Sequence, residues 1–178
     1  MKTGKFVRSV CAGMLATGLM LPLSVGAESK QINIQVTIDN KLPTCNINVP
    51  GGNTRELGAL DRSEKEQTHS AFTIGVYCDG NVKTRMKADA TRGAVLGDGK
   101  SLAVVMNNNS SMDINNRPLL KLKVDNQFVN LQNKEWFCNA SSQGTYQECR
   151  ITPVTVSTNK TPAGEGTAIV NFTIDYFL

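Results

Sequence analysis

The final nine residues, Val170-Asn171-Phe172-Thr173-Ile174-Asp175-Tyr176-Phe177-Leu178, alternate apolar and polar, and Ile32-Asn33-Ile34-Gln35-Val36-Thr37-Ile38 repeats the pattern near the opposite end. A period of two is that of a strand with one buried face, so Ile32, Ile34, Val36 and Ile38 would share one side of it. Chain ends are ordinarily loose unless something ties them down. Two strongly patterned ends in a chain of 178 residues therefore point to strand pairing, and to assembly before catalysis.

The residues before the first alternating segment set the compartment. Lys2, Lys5 and Arg8 precede an apolar run from Val10 to Leu23, followed by Val25-Gly26-Ala27 with small side chains where a signal peptidase reads. This is the layout of a secretory signal, with cleavage expected after Ala27, and the run is too short and too rich in glycine for a membrane span. Residues 1–27 are thus expected to leave 151 residues (178 − 27), ordinary for one domain. Three of the nineteen basic residues and none of the fifteen acidic ones leave with them, so the net charge falls from +4 to +1 (16 − 15). That removes the compositional support for nucleic acid or an anionic membrane as partner. Lys83, Arg85 and Lys87 read as the solvent face of one strand.

Cys11 departs with the signal, leaving Cys45, Cys78, Cys138 and Cys149, an even set suited to an oxidising compartment. Four thiols allow three pairings. Cys45 with Cys78 and Cys138 with Cys149 is the favoured one, because the second pair closes a short loop and the first joins a strand start to a strand end. No paired-cysteine motif or histidine cluster supports zinc.

Nearly every other signal is β. A short segment around Cys45, Ile47 and Val49 lies between Pro43 and Pro50-Gly51-Gly52, and the charged stretch from Arg62 to Glu66 reads as a solvated connection. Strands are expected at 72–77, 82–88, 101–106, 119–124, 128–131, 150–156 and 170–178. The turn clusters between them are Asp79-Gly80-Asn81, Gly97-Asp98-Gly99, Asn107-Asn108-Asn109, Asn115-Asn116 and Asp125-Asn126. Leu120, Leu122 and Val124 against Lys121 and Lys123 give the one-sided burial of an antiparallel sheet. Many short strands without a long helix predict an immunoglobulin-like β-sandwich.

Catalysis has little support. His69 is the only histidine and lies in a polar connection, while Asp61, Glu64 and Glu66 form a charge run of the kind that faces solvent. No nucleophile elbow, metalloprotease motif or phosphate loop is present, and nothing calls for a cofactor or metal. Trp136, Phe137 and Tyr146 have the chemistry of a ligand platform, although core or loop packing is the simpler reading.

Taken in order, the motifs carry a resemblance: an alternating extension before the first cysteine, Cys45 followed by Leu57-Gly58, Cys78 closing the next strong strand, Pro162-Ala163-Gly164 before the last strand, and a terminal alternating run with Tyr176 near its end. The chain resembles the pilin subunits of chaperone–usher fimbriae over its whole length after residue 27. Ile38 stands where the family often has glycine, Phe177 and Leu178 follow the near-terminal tyrosine, and the Cys138 to Cys149 loop is an addition that suggests a minor or specialised subunit.

The resemblance implies an incomplete sandwich, residues 43–178, completed by a donor strand from another subunit or a chaperone. Residues 28–42 would be the N-terminal donor extension, with Ile32, Ile34, Val36 and Ile38 as its buried side chains. Val170, Phe172, Ile174, Tyr176 and Leu178 would border the groove. The implied partners are a periplasmic chaperone, an outer-membrane usher and other pilus subunits, with a host receptor reached through the assembled fibre at the cell surface. Two alternatives stay open at this level. One is a receptor-binding adhesin or tip adaptor using the Cys138 to Cys149 loop or the loops around Asn107 to Asn116; the other is a closed sandwich in which residues 32–38 are simply the first strand.

Overall fold

The computed structural model describes residues 43–107 and 113–178. The expected signal segment, the extension with Ile32, Ile34, Val36 and Ile38, and positions 108–112 lie outside the described residues. The described residues form eleven strands: β1 (Cys45–Asn48), β2 (Glu66–Thr68), β3 (Phe72–Arg92), β4 (Ala94–Val95), β5 (Leu102–Ala103), β6 (Val105–Met106), β7 (Leu119–Val124), β8 (Gln127–Phe128), β9 (Gly144–Val156), β10 (Gly166–Thr167) and β11 (Ile169–Phe177). A 3₁₀ turn, Ile114–Asn116, is capped by the Asp113 side chain. The architecture is all-β, as the alternation predicts.

β3 organises the rest. Its second half is a strand because Val82, Thr84, Met86 and Ala88 are buried while Lys83, Arg85 and Lys87 point outward. Along one edge of β3 lie β1, which pairs Cys45 with Cys78 and Asn48 with Gly75, and β11, which pairs Phe177 with Lys83 and Ile169 with Arg92. Along the other edge runs the chain from Leu131 through β9. Phe137 exchanges two backbone hydrogen bonds of 2.9 Å with Met86, Ala140 donates to the Thr84 carbonyl, and β9 pairs Val82 with Gly144 and Phe72 with Ile151. The later half of β9 pairs with β7 and β2, β7 continues to β5 and β8, β5 pairs with β4, and β6 with β10 forms a separate ribbon.

Asp79-Gly80-Asn81 does not end one strand and begin another, contrary to the turn expected there. β3 runs through with a shift of register between Tyr77 and Val82. The start of β1 captures this break. The Thr44 amide donates to Asp79 Oδ1 at 2.7 Å, the Asp79 amide donates to the Thr44 carbonyl at 3.1 Å, and a Cβ on Gly80 would sit 3.1 Å from Pro43 Cγ. Backbone hydrogen bonding therefore continues where a free Asp-Gly-Asn segment would have turned.

Beyond the break the sheet curls back on itself. Phe72, in the first half of β3, and Phe172, paired with the second half, have ring centroids 6.4 Å apart. The two halves consequently face each other as layers. Between them lies the core: Ile74 and Val76 from the first half, Met86 and Ala88 from the second, with Leu122, Val124, Leu131, Cys149 and Ile151. Each large side chain fully buried here stabilises the fold by about 1.5–3 kcal/mol relative to exposure.

Both disulfides join the favoured pairs, Cys45 with Cys78 and Cys138 with Cys149. The strand expected at 128–131 is mostly irregular. β8 closes a hairpin with β7 through Asp125 and Asn126, both at positive φ, and the chain then leaves the ladder.

Candidate functional site

On β1, Ile47 pairs with Val76 and so points to the same side of the sheet, inward. Val76 is 1% exposed, yet Ile47 is 60% exposed. β11 behaves alike. Tyr176 pairs with Thr84, which is 2% exposed, and is itself 45% exposed; Ile174, Phe172 and Val170, paired with Met86, Ala88 and Ala90, are only partly buried against the core. Among the described residues, β1 and β11 each pair only with β3. Two edge strands on the same side of the sandwich thus point apolar side chains inward without covering them. The apolar side chains of β1 and β11 that face inward are therefore left partly open to solvent along one edge of β3.

Aromatic rings join the two layers next to β11. Phe172 meets Phe72 edge-on at 6.4 Å and 70°, and Phe137 at 6.4 Å and 78°. Edge-to-face pairs of this kind contribute about 0.5–1.5 kcal/mol each beyond their burial. Arg55 closes the loop after β1. Its guanidinium donates to the carbonyls of Pro50, Gly51 and Thr54 at 2.6, 2.9 and 3.1 Å and lies 5.2 Å from the Phe72 ring centre.

The outer face of β11 is fastened to β3 by charge and aromatic contact. Arg85 donates to Asp175 from Nε at 2.8 Å and Nη2 at 2.6 Å, and its guanidinium lies 4.2 Å from the Trp136 ring centre and 5.1 Å from that of Phe177. Lys87 Nζ sits over the same indole at 4.2 Å. Both carboxylate and guanidinium remain over a third exposed, so the ion pair is a positional device worth at most about 1 kcal/mol.

Val170, Phe172, Ile174 and Tyr176 therefore lie together along one face of one strand, and Leu178 follows beyond its end, 67% exposed. Trp136, Phe137 and Tyr146 are separated: the indole lies on the outer face under Arg85 and Lys87, Phe137 faces inward, and Tyr146 stacks on Tyr77 with centroids 4.6 Å apart. The Tyr146 hydroxyl donates to Glu148 at 2.7 Å; that carboxylate, then burial and the neighbouring Tyr77, push the phenol up to about 12. His69 Nε2 is 2.7 Å from Thr155 Oγ1, and Glu66 pairs with Lys121 at 3.3 Å. No group of three or more metal-ligating side chains occurs among the described residues, and no helix among them is long and apolar enough to cross a membrane.

Sequence reasoning did not single out Ile47, Phe72 or Arg55 as parts of a site. The spacing of Cys45, Ile47 and Val49 held the signal for Ile47, since alternation in so short a segment between prolines already marks an edge strand. Nothing local marks Phe72 or Arg55.

No protein-family model matches the chain, and no curated protein matches it in sequence. Solved structures do. The P pilus rod subunit PapA superposes with a TM-score of 0.54 at 13% identity, over 75% of this chain and 99% of that one. A chain from a chaperone–usher pilus whose structure addresses rod uncoiling superposes with a TM-score of 0.53 at 14% identity, over 86% of this chain and 99% of that one. The curled all-β sheet built on one long shared strand is the fold of these chaperone–usher pilus subunits.

Proposed function

We propose that the chain is a non-enzymatic structural subunit of a chaperone–usher surface pilus that polymerises by donor-strand exchange. The carrying observation is the contrast between Ile47, 60% exposed, and its inward-facing neighbour Val76, 1% exposed, repeated by Tyr176 and Thr84 on the opposite rim. An uncovered inward face on two edge strands is a place for one more strand. Strand addition of this kind draws affinity from main-chain hydrogen bonds and specificity from alternate side chains. The occupant is residues 28–42 of a second subunit, whose Ile32, Ile34, Val36 and Ile38 supply four alternate aliphatic side chains. At about 1.5–3 kcal/mol each the gross gain is about 6–12 kcal/mol before ordering costs.

An open apolar edge invites nonspecific pairing. The subunit accordingly needs a periplasmic chaperone before an outer-membrane usher delivers it to the fibre on the cell surface, where the assembled pilus mediates adhesion.

Urea unfolding and size-exclusion chromatography of residues 28–178 and 43–178, each with and without a synthetic peptide of residues 28–42, test the reading. The shortened chain is expected to be weakly stable alone and to gain several kcal/mol from the peptide. A shortened chain that is stable alone and indifferent to the peptide would have no open place for residues 32–38 and end the polymer reading.

A further inference from the structure

We infer that the Cys138–Cys149 bridge positions the groove: it pins the two layers together at the edge opposite the groove and so sets how far the rims stand apart. This rests on the groove being a strand-binding site. The two bridges differ in what they join. Cys45 and Cys78 are directly paired neighbours within one layer, so their bridge secures an edge strand to its own sheet. Cys149 pairs with Ile74 in the layer of the first half of β3. Cys138 follows Phe137, which is hydrogen-bonded to Met86 in the layer of the second half. The second bridge therefore spans the sandwich.

Its position gives it leverage. The run from Leu131 to Ala140 is not a regular strand and holds the second half of β3 by scattered hydrogen bonds, Leu131 to Ala90, Asn133 to Ala88, Phe137 to Met86 and Ala140 to Thr84. Cys149 is 1% exposed, so the inner end of the bridge is set in the core. Next to Cys138, Phe137 packs edge-on against Phe172, which belongs to the β11 rim. A displacement of Cys138 is thus passed through two rings to the groove. Without the pin, the drive to bury Ile47 and Tyr176 favours sliding of the layers and narrowing of the gap.

The test compares three proteins carrying all residues from 28 onward: wild type, Cys138→Ala/Cys149→Ala, and Val154→Ala. Val154 is fully buried on the part of β9 that pairs with β7, so its truncation weakens the fold away from the groove. The probe is a fluorescent peptide of residues 28–42, with urea unfolding in parallel. Wild type is expected to bind, the bridge variant at least tenfold more weakly, and Val154→Ala within twofold of wild type at a comparable loss of stability. Equal affinity in the bridge variant and wild type would overturn the positioning role. So would equal weakening in the two variants, which would make the bridge merely stabilising. Failure of wild type itself to bind would instead remove the strand-binding reading on which the inference rests.

Discussion

Ile47 and Val76 are cross-strand neighbours on the same face of the same sheet, and the proposed donor-strand groove predicts opposite consequences for shortening them. Ile47→Ala removes about three methylene equivalents, about 2.4 kcal/mol at about 0.8 kcal/mol each. Since Ile47 is 60% exposed, only about two fifths of that, about 1 kcal/mol, is already realised in the free subunit. The remaining about 1.4 kcal/mol is realised when a donor strand covers the side chain, and corresponds to about a tenfold loss of donor affinity. Val76→Ala inverts the pattern. Val76 is 1% exposed, so its truncation costs the free subunit about 2–3 kcal/mol in transfer and cavity terms while changing donor affinity little. Urea unfolding of both variants, paired with titration of the 28–42 peptide, measures both quantities in each. If Ile47→Ala destabilises the free subunit as much as Val76→Ala and binds the peptide as wild type does, Ile47 is covered by the subunit itself and there is no open rim.

Two further outcomes follow from the loops that frame the sandwich. Gly93 has φ of +122°, and a Cβ there would lie 2.5 Å from Leu102 Cδ1 and 2.9 Å from the Ala103 carbonyl oxygen, so Gly93→Ala is expected to cost about 2–5 kcal/mol, read as a lowered urea midpoint. For Asp98, burial pushes the carboxyl up, but hydrogen bonds from the Ser101 hydroxyl and the Lys100 and Ser101 amides outweigh it and hold the group below its ordinary value of 3.8. A carboxyl lowered by folding contributes stability that is present above the unfolded value and lost as pH falls through the folded one. Wild type should therefore lose stability more steeply than Asp98→Asn between about pH 5 and 3, and parallel pH profiles would contradict this.

Where one face is buried and the other wet, the sequence displayed the fold directly. Leu119–Val124 and the terminal strand both fall within a residue of the alternation that announced them. Legibility failed where tertiary contacts overrode local chemistry. Asp79-Gly80-Asn81 has the composition of a turn, but Pro43 and Thr44, more than thirty residues away, keep it in the ladder. Trp136 has the size and polarity of a core residue, yet the neighbouring inward place belongs to Phe137, and alternation turns the indole outward under Arg85 and Lys87. The site was half visible. The row from Val170 to Tyr176 could be read as one face, but that this face is uncovered, and that Ile47 lies on a matching rim, depends on which strands share an edge of β3.

That shared edge has a mechanical consequence. In a fibre built as proposed, tension would enter each subunit through the extension that precedes Cys45 and leave through the strand held against β11. Cys45 is bonded to Cys78, and Phe177 at the end of β11 is paired with Lys83. The load path between the two therefore crosses a disulfide and the short stretch of β3 from Cys78 to Lys83, with Arg85 riveting Asp175 beside its exit. Most of the core lies off this path. Force along β11 also acts parallel to its pairing with β3, loading the hydrogen bonds together in shear and not one after another in peeling. A fold that is thermodynamically incomplete would thus be strong along its axis, because the chain that bears the pull is covalent almost from joint to joint.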